Sequence, residues 1–125
     1  MTTLTLDTGA LLALERRRLR MARVLARARE LGIVPIVPAD VVAEWWRGRT
    51  DVREHILGIV VVEPLTDALA RLAGEAMAAI RGATTVDAIV MASAAQRGDA
   101  VYTGDVDDLE RLRAFFPGVR VFHAG

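Results

Sequence analysis

Thr84–Asp108 reads TTVDAIVMASAAQRGDAVYTGDVDD, and this stretch decides the fold. Two threonines and Asp87 open a helix that is apolar on nearly every side. After Gln96-Arg97-Gly98 the pattern becomes a short strand, Ala100–Thr103, which ends in Gly104-Asp105 and the acid pair Asp107-Asp108. Asp87 therefore falls in the first turn of a buried helix, and Asp105 falls just past the carboxyl end of a strand. In an open parallel sheet both places lie on one rim, the rim where ligands bind.

The same alternation runs upstream. Thr3–Leu6 is β-branched and alternating, a strand that delivers Asp7 to its end, and after Thr8-Gly9 a helix begins over Ala10–Glu15. A helix over about Arg17–Leu31 carries Met21, Val24, Leu25, Ala28 and Leu31 on one stripe, with Arg16, Arg20, Arg23 and Arg27 aligned on the other side. Gly32 stops it. Ile33–Val37 reads as the second strand, with Pro38 at the first position of a helix over Ala39–Arg47. A short helix over Asp51–Leu57 and an apolar strand over Ile59–Val62 follow. Leu69, Leu72, Ala73, Ala76, Met77 and Ile80 then form the buried stripe of an amphipathic helix. Downstream of Asp105 the pattern predicts a helix to about Phe116, a break at Pro117-Gly118 and a last strand over Val119–Phe122. Apolar strands alternating with helices argue for a three-layer α/β/α fold around a parallel sheet of about five strands.

Length and composition narrow the class. The 125 residues suit one domain spanning 1–125, large enough for a single core. The chain is 53% hydrophobic, yet its apolar runs fall far short of the ~20 residues that span a bilayer. The first residues lack the charged start and cleavage site of a signal peptide, and without cysteine there is neither a disulfide framework nor a thiolate site. A cytoplasmic protein with no membrane partner is the simplest expectation. The net charge is zero, but all sixteen positive residues are arginine. A GC-rich coding bias is the simpler account of that, although arginine also makes bidentate contacts to phosphate that lysine cannot.

The acids at strand ends and early helix turns are Asp7, Glu44, Asp87 and Asp105, with Asp107 and Asp108 close behind. Each has a purely structural reading: an Asx turn at Asp7, a solvated helix acid at Glu44, a favourable helix N-terminus at Asp87. Asp105 suits an N-cap, with Asp108 reaching back as in a capping box. The set is harder to dismiss, because strand ends and helix starts of one parallel sheet share a rim. Carboxylates gathered there repel, and a divalent cation removes the conflict. Carboxylates and water suit Mg²⁺ or Mn²⁺, whereas zinc asks for His or Cys. The two histidines, His55 and His123, read as surface residues. No Ser-His or Cys-His pair and no Gly-rich phosphate loop occurs.

With these pieces in order, the chain resembles the PIN-domain ribonucleases, and within them the VapC toxins of toxin–antitoxin pairs. The resemblance rests on Leu6-Asp7-Thr8, Val42-Ala43-Glu44, Val86-Asp87-Ala88-Ile89 and Tyr102-Thr103-Gly104-Asp105 with Asp108, and it covers essentially the whole chain. It implies that Asp7, Glu44, Asp87 and Asp105 form a catalytic acidic quartet holding Mg²⁺ or Mn²⁺. Thr103 then supports the site through its hydroxyl, and Asp108 either ligates through water or caps its helix. Which of Asp105, Asp107 and Asp108 faces the metal stays open, with Asp107 the weakest of the three. The expected function is metal-dependent endoribonucleolytic hydrolysis of RNA; the alternative is a catalytically inactive PIN-like binding module. A receiver-type phosphoacceptor domain fails for want of any lysine.

The arginines Arg16, Arg20, Arg23 and Arg27 read first as a solvated face and second as a track for RNA backbone. Trp45 is expected in the core and Trp46 outside it. The resemblance further implies a cognate antitoxin whose extended segment crosses the acidic rim, with apolar anchors on Trp46 and the Ala10–Glu15 helix. It also implies a homodimer, within a larger toxin–antitoxin assembly where one forms.

Overall fold

A computed structural model describes residues 3–125; the first two residues of the 1–125 span lie outside it. The elements in chain order are β1 (Leu4–Leu6), α1 (Thr8–Glu15), α2 (Leu19–Glu30), β2 (Ile36–Pro38), α3 (Ala39–Trp45) and α4 (Asp51–Gly58). They continue with β3 (Val61–Glu63), α5 (Asp67–Ala79), α6 (Thr85–Arg97), β4 (Ala100–Thr103), α7 (Val106–Leu112) and β5 (Arg120–His123). The five strands make one parallel sheet in the order β3-β2-β1-β4-β5. The sheet, its strand number and its layers are those the sequence predicts.

Strand alternation sets the layers. Successive side chains of a strand point to opposite faces. In β1, Thr5 accepts a hydrogen bond from Arg97 of α6 at 2.8 Å, whereas Leu4 meets Val24 and Ala28 of α2. Helix α6 therefore covers one face, with α5 packed against it; α1 contacts β1 and β4 and joins α2, which lies on the Leu4 side. Burial all round is what the sequence of α6 requires: Ala88–Ala94 is buried without a break. Gly98, at φ 71°, ends the helix in the left-handed conformation that glycine adopts without steric cost. Helix starts are fixed by side chains: Asp7, Thr50, Thr66, Thr84 and Asp105 each accept a first-turn backbone N–H. Such a cap contributes about 1 kcal/mol.

Two boundaries differ from the sequence reading for a shared reason. At the end of α1 the N–H of Arg17 bonds Leu14 O and the N–H of Arg18 bonds Ala13 O, with Arg17 at φ 56°. At the end of α2 the N–H of Gly32 bonds Arg29 O and that of Ile33 bonds Ala28 O. Both are Schellman caps. The first keeps α2 from starting before Leu19. The second consumes the N–H of Ile33, and β2 begins only at Ile36. The third strand is likewise later, Val61–Glu63 rather than Ile59–Val62, and Pro38 closes β2 instead of opening α3.

From β1 the chain moves outward through β2 and β3, then returns to lay β4 and β5 on the other side of β1. The switch point therefore lies between the carboxyl ends of β1 and β4, where open α/β sheets form a crevice. The two ends touch backbone to backbone there: a Cβ on Gly9 would sit 2.4 Å from Gly104 N and 2.5 Å from its Cα. Gly9→Ala must push these segments apart, and a destabilisation of about 1–3 kcal/mol is expected. Gly74, inside α5 with open space around its Cα, provides the opposite case. Gly74→Ala should add up to about 1 kcal/mol through helix propensity. Urea denaturation of both variants checks the pair, and equal effects would contradict the close approach.

Candidate active site

The switch point holds a cleft of about 610 Å³ lined by Asp7, Glu44, Asp87, Asp105 and Asp108. The acids arrive on four supports, with Asp105 and Asp108 sharing the start of α7. Asp7 follows β1 and caps α1, its Oδ1 accepting the N–H of Ala10 at 3.0 Å. Its Oδ2 accepts the hydroxyl of Thr103, the last residue of β4. Thr103 in turn accepts the N–H of Asp105 at 2.9 Å, so one buried hydroxyl joins two of the acids. Asp87 sits in the first turn of α6, whose Thr84 cap accepts its N–H at 3.2 Å. Glu44 lies near the end of α3 and accepts the Thr8 hydroxyl at 2.6 Å.

At the fourth position the structure separates the three aspartates. Asp105 caps α7 by accepting the N–H of Asp108 at 3.3 Å. The Asp108 carboxylate does not reach back as in a capping box; it pairs with Arg111. Asp107 is exposed and does not line the cleft.

Electrostatics follow from burial and crowding. Asp7 is 8% exposed, and burial pushes its pKa from the ordinary 3.8 up to about 6, against the hydrogen bonds from Thr103 and Ala10 and with the Asp87 charge adding to the rise. Asp87 is also raised, first by burial and then by the charges of Asp108, Glu44 and Asp105, with Thr84 opposing. The acids therefore share a field. Among the described residues, however, no three are drawn together closely enough to enclose an ion as they stand. The reason is local: Thr103, Thr8 and Arg111 hold the side chains of Asp7, Glu44 and Asp108.

The basic residues fall differently from the sequence reading. Arg20, Arg23 and Arg27 lie exposed along α2, away from the cleft, and Arg27 pairs with Glu30 at 3.0 Å. Arg16 is not on that face at all, because it caps α1. It lines the acidic cleft together with Arg18 and His123. Thr8, Arg18 and His123 were not singled out by sequence reasoning. For His123 a signal existed, since it ends β5 opposite Thr103 and so stands on the same rim. His55 is at the surface, as expected.

Trp45 is buried and donates its Nε1–H to Glu15 at 2.9 Å. Trp46 is half-buried against the core, edge-on to Trp45, and α1 buries Ala10, Leu11 and Ala13. Trp46 and, on α1, Leu12 and Leu14 keep part of their apolar surface exposed. Leu19, Leu31, Val34, Val52 and Ile59 are the exposed large apolar side chains on and around α2 and α4 among the described residues. Among the described residues no helix is long and apolar enough to cross a membrane.

No protein-family model matches this chain, and no curated protein matches it by sequence. Solved structures do. A chain of the DNA-bound VapBC from Salmonella typhimurium superposes with a TM-score of 0.79 at 16% identity, over 100% of both chains. VapBC2 from Rickettsia felis bound to a promoter DNA fragment gives 0.73 at 11%, over 97% of this chain and 98% of that one. A toxin-antitoxin complex from Klebsiella pneumoniae gives 0.70 at 16%, over 94% and 95%. At such identities the likeness establishes the fold, which is PIN-like.

A raised carboxyl pKa makes a stability prediction. The unfolded chain loses the Asp7 proton near pH 4 and the folded chain only near 6, so folding loses stability across that interval and the loss persists above it. Asparagine caps a helix as well as aspartate and carries no charge to desolvate. With chelator present, Asp7→Asn should be more stable than the parent by about 2–3 kcal/mol at pH 7, and nearly equal to it at pH 4. Urea titrations at the two pH values decide this; a less stable variant at pH 7 would contradict it.

Proposed function

We propose that this chain is a metal-dependent endoribonuclease acting as the toxin of a toxin–antitoxin pair. The observation that carries the reading is the convergence of five carboxylates from four supports on one cleft, with Asp7 and Asp87 both raised in pKa. Nothing in the fold of a binding module calls for such repulsion, whereas Mg²⁺ or Mn²⁺ relieves it. The donor set fits those ions: all oxygen, partly buried, with no cysteine. Asp7, Glu44, Asp87 and Asp105 would hold the metal, with Asp108 alongside, once the side chains now tied to hydroxyls turn towards it. When bound, the metal supplies Lewis acidity and an activated water for phosphodiester hydrolysis.

The chain's own residues do the rest. Thr103 fixes Asp7 and the Asp105 backbone relative to each other, and Thr8 holds Glu44 beside the start of α1. Thr84 anchors the turn that carries Asp87. Together they prevent an acidic rim from splaying under its own charge. The competing reading, an inactive PIN-like module, draws on the present ties of those carboxylates, and activity separates the two.

RNA cleavage is expected with Mg²⁺ or Mn²⁺ and not with EDTA. Asp7→Asn, Glu44→Gln and Asp87→Asn should each lower the rate by several orders of magnitude without changing the circular dichroism spectrum. Undiminished cleavage in excess chelator would rule the mechanism out.

The toxin assignment draws on the VapBC and toxin-antitoxin complexes that share this fold. It implies a cytoplasmic protein, a homodimer when free, and a cognate antitoxin crossing the rim. Trp46 and α1 are only partly exposed, so the antitoxin's apolar anchors extend to the more exposed side chains around α2 and α4. Expression alone should arrest bacterial growth, co-expression with the antitoxin should restore it, and Asp87→Asn should abolish the arrest. A variant as toxic as the parent would place toxicity elsewhere.

A further inference from the structure

The acidic cleft has a second wall of opposite character. Arg16, Arg18 and His123 line it with the acids. Neither arginine makes an ion pair or side-chain hydrogen bond among the described residues, although carboxylates line the same cleft. The backbone between them is strained: Arg17 holds φ 56°, a conformation glycine would adopt freely and arginine does not. That turn brings Arg16 and Arg18 to one cleft. Gly125 lies against the Arg18 side chain, and its N–H is accepted by His123 Nδ1 at 3.2 Å, which leaves Nε2 as the donor.

Distance along α1 decides what such donors serve. Thr8, Leu12 and Arg16 follow at four-residue spacing on one face, and all three line the cleft. The rise from Thr8 to Arg16 is about 12 Å, so Arg16 stands about two turns along α1 from Thr8, and it also lines a neighbouring depression with Glu44.

We propose that Arg16, Arg18 and His123 form the substrate-positioning wall of this cleft, gripping RNA backbone phosphates that flank the one being cut. The proposal rests on the nuclease reading for its substrate and replaces the α2 arginines as the RNA track. A single strand crossing the cleft meets acids where the bond breaks and donors along the adjoining wall, which offsets the repulsion an acidic site exerts on a polyanion. Arginine suits the task, since its planar fork takes two phosphate oxygens at once.

Two measurements test this. In cleavage assays on a long single-stranded RNA, Arg16→Gln and Arg18→Gln should each raise KM about tenfold and leave kcat nearly unchanged, because flanking contacts act equally in ground and transition states. His123→Ala should raise KM in the same way. A dinucleotide substrate, which lacks flanking phosphates, should be insensitive to all three. In equilibrium binding of the same RNA to the Asp87→Asn variant, each arginine replaced should flatten the salt dependence by about 0.7, while Arg20→Gln with Arg23→Gln should leave it unchanged. An unaltered slope for Arg16→Gln with Arg18→Gln, or a larger change for the α2 pair, would overturn the proposal. A parent that binds with the expected slopes but never cleaves would overturn the nuclease reading and leave the wall standing.

Discussion

The start of α1 and the turn after β4 meet without a side chain between them, and the site depends on that meeting. Gly9 and Gly104 are within backbone contact, which only paired glycines allow. The contact brings Asp7, at the end of β1, within reach of Thr103, at the end of β4, and through Thr103 fixes the N–H of Asp105. Parallel pairing of β1 with β4, Leu6 opposite Tyr102, sets the register that makes the reach possible. Widening the gap by one methyl group would separate the acids of the two motifs before it disturbed the sheet itself.

The same protein shows how it treats a carboxylate that has only structural work. Asp99, just before β4, is buried like Asp7, and burial again pushes its pKa up. Hydrogen bonds from Thr3, Arg97 and Thr5 more than reverse that, and its pKa lies below the ordinary value. Arg97 also pairs with Glu63 and bonds Ser93, closing a network beneath α6. At the amino end of the sheet, then, buried charge is compensated in full. At the carboxyl end it is left with hydroxyls and one helix N-terminus, and Asp7 rises. Two buried aspartates shifted in opposite directions on adjacent strands place the uncompensated charge at the ligand-binding rim, where perturbed groups gather in functional sites.

How much of this was legible in the sequence depends on what each feature rests on. Strand ends and helix starts were readable from alternation and periodicity, and a parallel sheet then forces Asp7, Asp87 and Asp105 to one rim. The buried helix α6 was readable because Ala88–Ala94 offers no polar face. The start of α2 was not, because the left-handed residue in the turn before it is Arg17 rather than the glycine that announces such a cap. Without that turn the C-cap Arg16 falls in line with α2 and a stripe runs through Arg16, Arg20, Arg23 and Arg27 that the folded chain breaks. His123 was missed for a different reason. The rim rule that places Asp105 also places the end of β5, but the rule was applied to acids only.

The hydroxyl ties bear on how tightly the cleft can hold a cation. Thr103 and Thr8 each occupy an oxygen that a metal would need, and a hydrogen bond to a charged group contributes roughly 1.5–3 kcal/mol net. An entering ion must displace or share those contacts while relieving the repulsion felt at Asp7 and Asp87. The two effects oppose each other, so the free cleft is held open and ordered without being driven to capture the first cation it meets. On the nuclease reading proposed above, nucleic-acid phosphate would change that balance, because it would bring oxygens and charge of its own to the same ion. Metal and substrate are therefore expected to enter together, each strengthening the other, as reciprocal coupling between two ligands requires.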